Sequence, residues 1–151
     1  MSAVWLAAAL ALAVAQPNLD FKLPTLDASR SVTLAALPGP VLLNFWSSDC
    51  LPCVRELPLL QAHSRRLPGL RFVGVAIDEG RRAAPFARQA GAAYLQLAAP
   101  GRQELLRQFG NPLGALPYTV VLNRAHQVCT TRLGAIDARW LAKAAQACAS
   151  P

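Results

Sequence analysis

At 151 residues, with 54% hydrophobic and 15% charged side chains, the chain is too apolar to stay disordered and long enough to bury a core. Its formal charge of +7 comes mostly from scattered arginines. Pairs such as Arg65-Arg66 and Arg81-Arg82 do not make the basic stripe with interleaved aromatics that a nucleic-acid surface needs, so no nucleic-acid partner is expected. The charge suits a solvated, Arg-rich surface that can steer acidic partners or sit near anionic membrane.

Ala3 to Ala15 is uncharged and apolar, the size of a signal-peptide h-region, and closes on the small-x-small pattern Ala13-Val14-Ala15. It is short for a membrane span, which takes roughly 20 apolar residues. The preceding Met1-Ser2 lacks the Lys or Arg usual in a signal. Residues 1–15 are therefore expected to be a cleaved signal peptide, with an uncleaved anchor as the alternative, and residues 16–151 a single domain.

Pro17 to Pro40 holds turn residues and short alternating stretches at Phe21-Lys22-Leu23 and Ser31-Val32-Thr33-Leu34, which predict an N-terminal β-hairpin or extended arm. Val41 to Trp46 reads as a strand buried on both faces. Leu51 to Leu67 has helical periodicity with Pro58 inside, predicting a kink. A second buried strand spans Leu70 to Ile77, a helix follows from about Arg81 to Gln89, and a short strand lies near Tyr94 to Leu97. Arg102 to Phe109 is predicted helical, ending at Gly110. Asn111 to Pro117 is a loop, Tyr118–Asn123 and Gln127–Leu133 form a hairpin, and Asp137 caps a last helix reaching about Cys148. Alternation of strands and helices, ending in a hairpin and a helix, predicts an α/β domain with a mixed central sheet.

The four cysteines form two pairs. On alternation, Cys129 shares a strand face with Thr131 and Leu133; on helical spacing, Cys148 shares a face with Leu141 and Ala144. A structural disulfide between Cys129 and Cys148 is feasible if those faces pack together, and two separate buried thiols are the alternative.

Cys50-Leu51-Pro52-Cys53 stands where the strand ends and the helix begins. A helix N-terminus favours the thiolate of Cys50, and Cys53 lies one turn on, on the same face. Cys50 is the candidate nucleophile and Cys53 the resolving thiol. A structural zinc site would need more ligands, and His63 and His126 are single and far apart in sequence. No metal is expected, and no cofactor beyond the Cys50–Cys53 disulfide.

The chain resembles the thioredoxin fold, and within it the TlpA/ResA-like exported thiol–disulfide oxidoreductases. The matching residues are Leu43-Asn44-Phe45-Trp46, the Cys50–Cys53 motif, Glu56, Pro58 and the stretch Gly114-Ala115-Leu116-Pro117-Tyr118-Thr119-Val120-Val121-Leu122-Asn123. The resemblance extends over roughly Leu19 to Ala147 and departs at two positions. The family's usual Trp before the first cysteine is Asp49 here, and the buried Asp of thioredoxins proper is Asn44.

The resemblance implies a cis peptide at Leu116–Pro117 beside the motif, where backbone can pair with an extended substrate. It also implies a periplasmic protein, or one anchored to the inner membrane and facing the periplasm. Its partners would be protein disulfide or dithiol substrates and a membrane electron donor, with cytochrome c maturation one family role among several. A monomer is expected. On the residues themselves, Glu56 could take the proton of the resolving thiol or simply be exposed. Trp46 is expected either beside the motif, limiting solvent access, or simply as a core aromatic. Asp49 and Glu56 add negative charge that opposes a persistent thiolate, which favours a reductant. Two other readings stay open: a copper(I)-handling binding protein on the same fold, which would want a His beside the pair, and an interaction module that keeps the motif without turnover.

Overall fold

A computed structural model describes residues 19–149; the expected signal or anchor segment, residues 1–15, lies outside them. Among the described residues no helix is long and apolar enough to cross a membrane. The central sheet has five strands: β3 (Val41–Trp46), β4 (Arg71–Ala76), β5 (Leu95–Ala98), β6 (Tyr118–Leu122) and β7 (Val128–Leu133). Their order is β5-β4-β3-β6-β7. β3 pairs in parallel with β4 and β4 with β5, whereas β6 runs antiparallel to both β3 and β7. This is the mixed sheet of a thioredoxin fold.

Alternation along β3 assigns its two faces. Val41, Leu43 and Phe45 face a core closed by the hairpin of β1 (Lys22–Pro24) and β2 (Ser31–Thr33) and by α3 (Gln103–Gln108). Leu42 and Trp46 face a second core, shared with α1 (Leu51–Arg66), α2 (Gly80–Gln89) and α4 (Ala138–Cys148). Both faces are covered, which is why β3 reads as a continuous apolar run broken only by Asn44. α1 passes through Pro58 as one helix; the missing N–H costs the Val54 carbonyl its donor without ending the element. Asp137 caps α4 by accepting from the Trp140 N–H at 2.8 Å.

The two sheet edges are treated differently. The segment after β1 covers β5, through a Thr25–Leu97 bridge and a bond from the Leu26 N–H to the Gln96 carbonyl. Gly80, the first residue of α2, lies against the Leu26 carbonyl so closely that a Cβ would overlap it. Gly80→Ala is therefore expected to lower stability by about 1–3 kcal/mol. The measurement is a denaturant midpoint, with an unchanged transition slope.

β7 is the open edge and is exposed along nearly all its length. Here the structure corrects a sequence expectation. Strict alternation sets Cys129 with Thr131 and Leu133, whose partners Val120 and Tyr118 face the core away from α4. The register instead slips: Val121 pairs with Thr130 and Leu122 with Val128, leaving Cys129 as a bulged residue. The bulge re-aims that side chain, and its sulfur is bonded to that of Cys148, with Cα atoms 5.8 Å apart. The bridge joins an exposed edge residue to a buried helical one, not two buried faces.

Candidate active site

β3 delivers the chain to the motif. Beyond Trp46, the turn Ser47–Asp49 is held by Asp78, which follows β4 and accepts from the Ser47 hydroxyl at 3.2 Å and from the Ser48 N–H. Cys50 caps α1: its N–H donates to the Ser47 carbonyl at 3.1 Å, and its sulfur accepts the Cys53 N–H at 3.3 Å. A sulfur there meets the unpaired N–H groups and positive end of a 16-residue helix. Cys50 and Cys53 are joined as a disulfide, with Cα atoms 5.2 Å apart. Cys50 is partly exposed and Cys53 fully buried, so a partner can reach only the first sulfur.

Under the motif lies a small polar cluster inside an apolar core. Glu56, one turn beyond Cys53, is 5% exposed. Its Oε1 accepts from Asn44 Nδ2 at 2.8 Å and its Oε2 from the Ile136 N–H at 3.1 Å. Asn44 Nδ2 also donates to Thr119 Oγ1 at 3.1 Å. Of the two sequence alternatives for Glu56, exposed or inward, the inward one is found. Burial pushes its carboxyl above the ordinary glutamate range, and the bonds from Ile136 and Asn44 oppose that shift.

The sign follows from proton linkage. The folded state holds this proton more tightly than the unfolded chain, so Glu56 costs stability as pH rises from about 4.3 through its raised value. The stability of Glu56→Gln relative to the parent is thus expected to increase between about pH 4 and pH 7. Paired urea titrations across that range measure it; a flat or falling difference contradicts the assignment.

Trp46 is fully buried in the same core as Cys53 and donates its indole N–H to Gln96 Oε1 at 3.1 Å. Pro117 immediately precedes β6, and Tyr118 pairs with Phe45, so Pro117 stands at the end of the sheet from which the motif departs. The Leu116–Pro117 peptide is cis, and Leu116 packs against the core that includes Cys53. The Pro117 carbonyl accepts from the Gly134 N–H, and two residues on Ile136 donates to Glu56, so the β7–α4 turn ties the proline to the carboxylate. Asn111 shapes the loop before Pro117, donating to the Ala115 carbonyl at 2.8 Å and accepting the Gly114 N–H at 3.1 Å. Gly114 has φ +67°, a conformation that costs glycine nothing.

Asp49, which adds negative charge beside Cys50, is gripped at 2.9 and 3.0 Å by the Arg82 guanidinium, an exposed pair. Neither histidine joins the motif. His63 lies ten residues along α1 with Nδ1 on the Leu59 carbonyl, and His126 sits in the β6–β7 turn with Nε2 on the Leu37 carbonyl. No group of three or more His, Cys, Asp or Glu suited to a metal occurs among the described residues. Sequence reading missed Arg82, the Ile136 N–H and Gln96. Only Gln96 left a signal, as a polar residue within an otherwise apolar strand.

Residues 14–138 match the model of the AhpC/TSA family. The chain belongs to that family. Thioredoxin-like protein YneN of Bacillus subtilis is 43% identical over 42 residues, a match spanning 28% of this chain and 25% of that protein. The thioredoxin fold of this AhpC/TSA member is shared with a putative thiol:disulfide interchange protein DsbE from Chlorobium tepidum. The two are 27% identical with a TM-score of 0.71, over 86% of this chain and 93% of the other. A thioredoxin-related protein from Neisseria meningitidis serogroup B is 24% identical with a TM-score of 0.72, over 82% and 96% of the two chains. Fold and motif together resemble those of thioredoxin-like disulfide oxidoreductases.

Proposed function

We propose that the protein works outside the cytoplasm as a reductant of protein disulfides. The Cys50 thiolate attacks a substrate disulfide, forming a mixed disulfide and releasing one substrate thiolate. Cys53 gives its proton to Glu56 and attacks the Cys50 sulfur; the Cys50–Cys53 disulfide forms and the second substrate thiolate leaves. Two electrons pass to the substrate, and a dithiol donor, expected at the membrane, returns them to the motif.

The observation that carries this reading is the asymmetry of the pair: a partly exposed cysteine on a helix N-terminus and a fully buried one a turn away, above a buried carboxylate. That carboxylate also supports the direction, because it disfavours a persistent thiolate and strong oxidants need one. Leu51 in the motif and Leu113 in the loop before Pro117 are 57% and 81% exposed. They offer an apolar rim to an extended substrate, whose backbone would pair beside Pro117. Export is supported by the Ala3–Ala15 run, with retention at the inner membrane as the alternative. The copper(I) reading lacks support, since both histidines are committed to backbone carbonyls away from the sulfurs. Catalytic reduction of insulin disulfides by the full chain, with dithiothreitol as donor, is the expected result. Tight copper(I) binding without any turnover would favour the rival.

A further inference from the structure

Among the described residues, three buried side-chain atoms lack a hydrogen-bond partner: Asn44 Oδ1, Tyr94 Oη and Gln96 Nε2. They belong to one corner of the fold. Asn44 pairs with Gly74 across β3 and β4, and Gly74 with Gln96 across β4 and β5, so the three residues form a row over neighbouring strands. Tyr94 precedes Gln96 by two residues and turns to the same face, its ring edge-on to Phe72 at 6.2 Å. Gly74 contributes no side chain, and Gln96 fills the room: a Cβ on Gly74 would overlap its amide. The 8%-exposed Gln96 therefore carries its amide to within about one strand spacing, roughly 4.8 Å, of the Asn44 column. No direct bond joins the two amides, and such a spacing suits a single bridging molecule. The three groups are also complementary, since Oδ1 accepts, Nε2 donates and the hydroxyl does either. A buried water makes about three such bonds.

We propose that Asn44, Tyr94 and Gln96 bind one internal water, and that Gln96 is through it a positioning residue for Glu56. The Asn44 amide has two possible faces toward the carboxylate. With Nδ2 on Glu56 Oε1, as found, it favours the ionised form; turned over, Oδ1 would favour the protonated acid. A water anchored by Gln96 Nε2 and donating to Oδ1 holds the first orientation. The same amide accepts the Trp46 indole N–H, so one side chain sets both the carboxylate and the tryptophan that packs in the core of Cys53. Tyr94 and Gln96 also line the surface groove between residues 25–30 and α2, through which the water can exchange.

The inference goes beyond the proposed reaction and is tested without turnover, in the oxidised full chain. The side-chain carboxyl carbon of Glu56 is followed by NMR against pH in the parent, Gln96→Met and Gln96→Leu. Both variants keep apolar bulk and lose the donor. The Glu56 midpoint is expected to rise by about one pH unit in each; an unmoved midpoint in a folded variant overturns the positioning role. A high-resolution crystal structure of the parent is the second test. One ordered water within hydrogen-bond distance of Asn44 Oδ1 and Gln96 Nε2 is expected. Density that joins those atoms directly, or leaves them without a shared water, overturns the site.

Discussion

Replacing Cys50 with Ser is expected to reduce disulfide-reductase turnover by roughly 10³-fold or more, the scale seen when a reaction loses its nucleophile. Replacing Cys53 with Ser should instead trap the protein on its substrate. The two variants differ because the sulfurs sit differently. Cys50 is reachable from solvent and caps α1, with the Cys53 N–H on its sulfur. Cys53 is sealed beneath it, in the core formed with Trp46 and Leu57. A mixed disulfide on Cys50 can be resolved quickly only from below, so Cys53→Ser leaves it standing. Non-reducing electrophoresis followed by mass spectrometry reads this directly. Conjugates should form on Cys50 in Cys53→Ser and be absent from Cys50→Ser. Conjugates that form equally through Cys53 would contradict the assigned roles.

The second large effect concerns stability. Cys129 and Cys148 are 19 residues apart and tie the open edge strand to the last helix. Closing a loop of that size stabilises a fold by about 3 kcal/mol in the chain-entropy model. The double variant Cys129→Ser with Cys148→Ser is therefore expected to lose about 3 kcal/mol, or roughly 6–12 °C in Tm for a domain this size. Insulin reduction at a temperature where the variant is folded should be unchanged, because neither residue lies near the motif. An unaltered Tm would show that β7 and α4 are held by packing alone.

Much of this architecture is legible in sequence, for identifiable reasons. Val41–Trp46 is apolar on both sides because both faces of β3 are covered, and the motif is confined to the junction that follows. Pro117 could be tied to the motif only through resemblance, since 64 residues separate it from Cys53 and the β3–β6 pairing that unites them is non-local. Cys129 was misassigned to a face because a bulge is one residue of register, invisible to strict alternation. The partner of Asp49 was not legible because Arg82 comes from another helix. Gln96 announced itself only as an oddity in an apolar strand; its meaning depends on Gly74 standing beside it.

The central claim is that Cys50 and Cys53 exchange electrons reversibly while the second pair does not. The most direct measurement equilibrates the full chain in buffers of graded reduced and oxidised glutathione, followed by acid quench, thiol alkylation and peptide mass mapping. The account predicts a two-electron transition confined to the Cys50–Cys53 peptide, with Cys129–Cys148 oxidised throughout it. A Cys50–Cys53 pair that stays locked in one state at every poise, or that titrates only together with Cys129–Cys148 as the fold is lost, would contradict it.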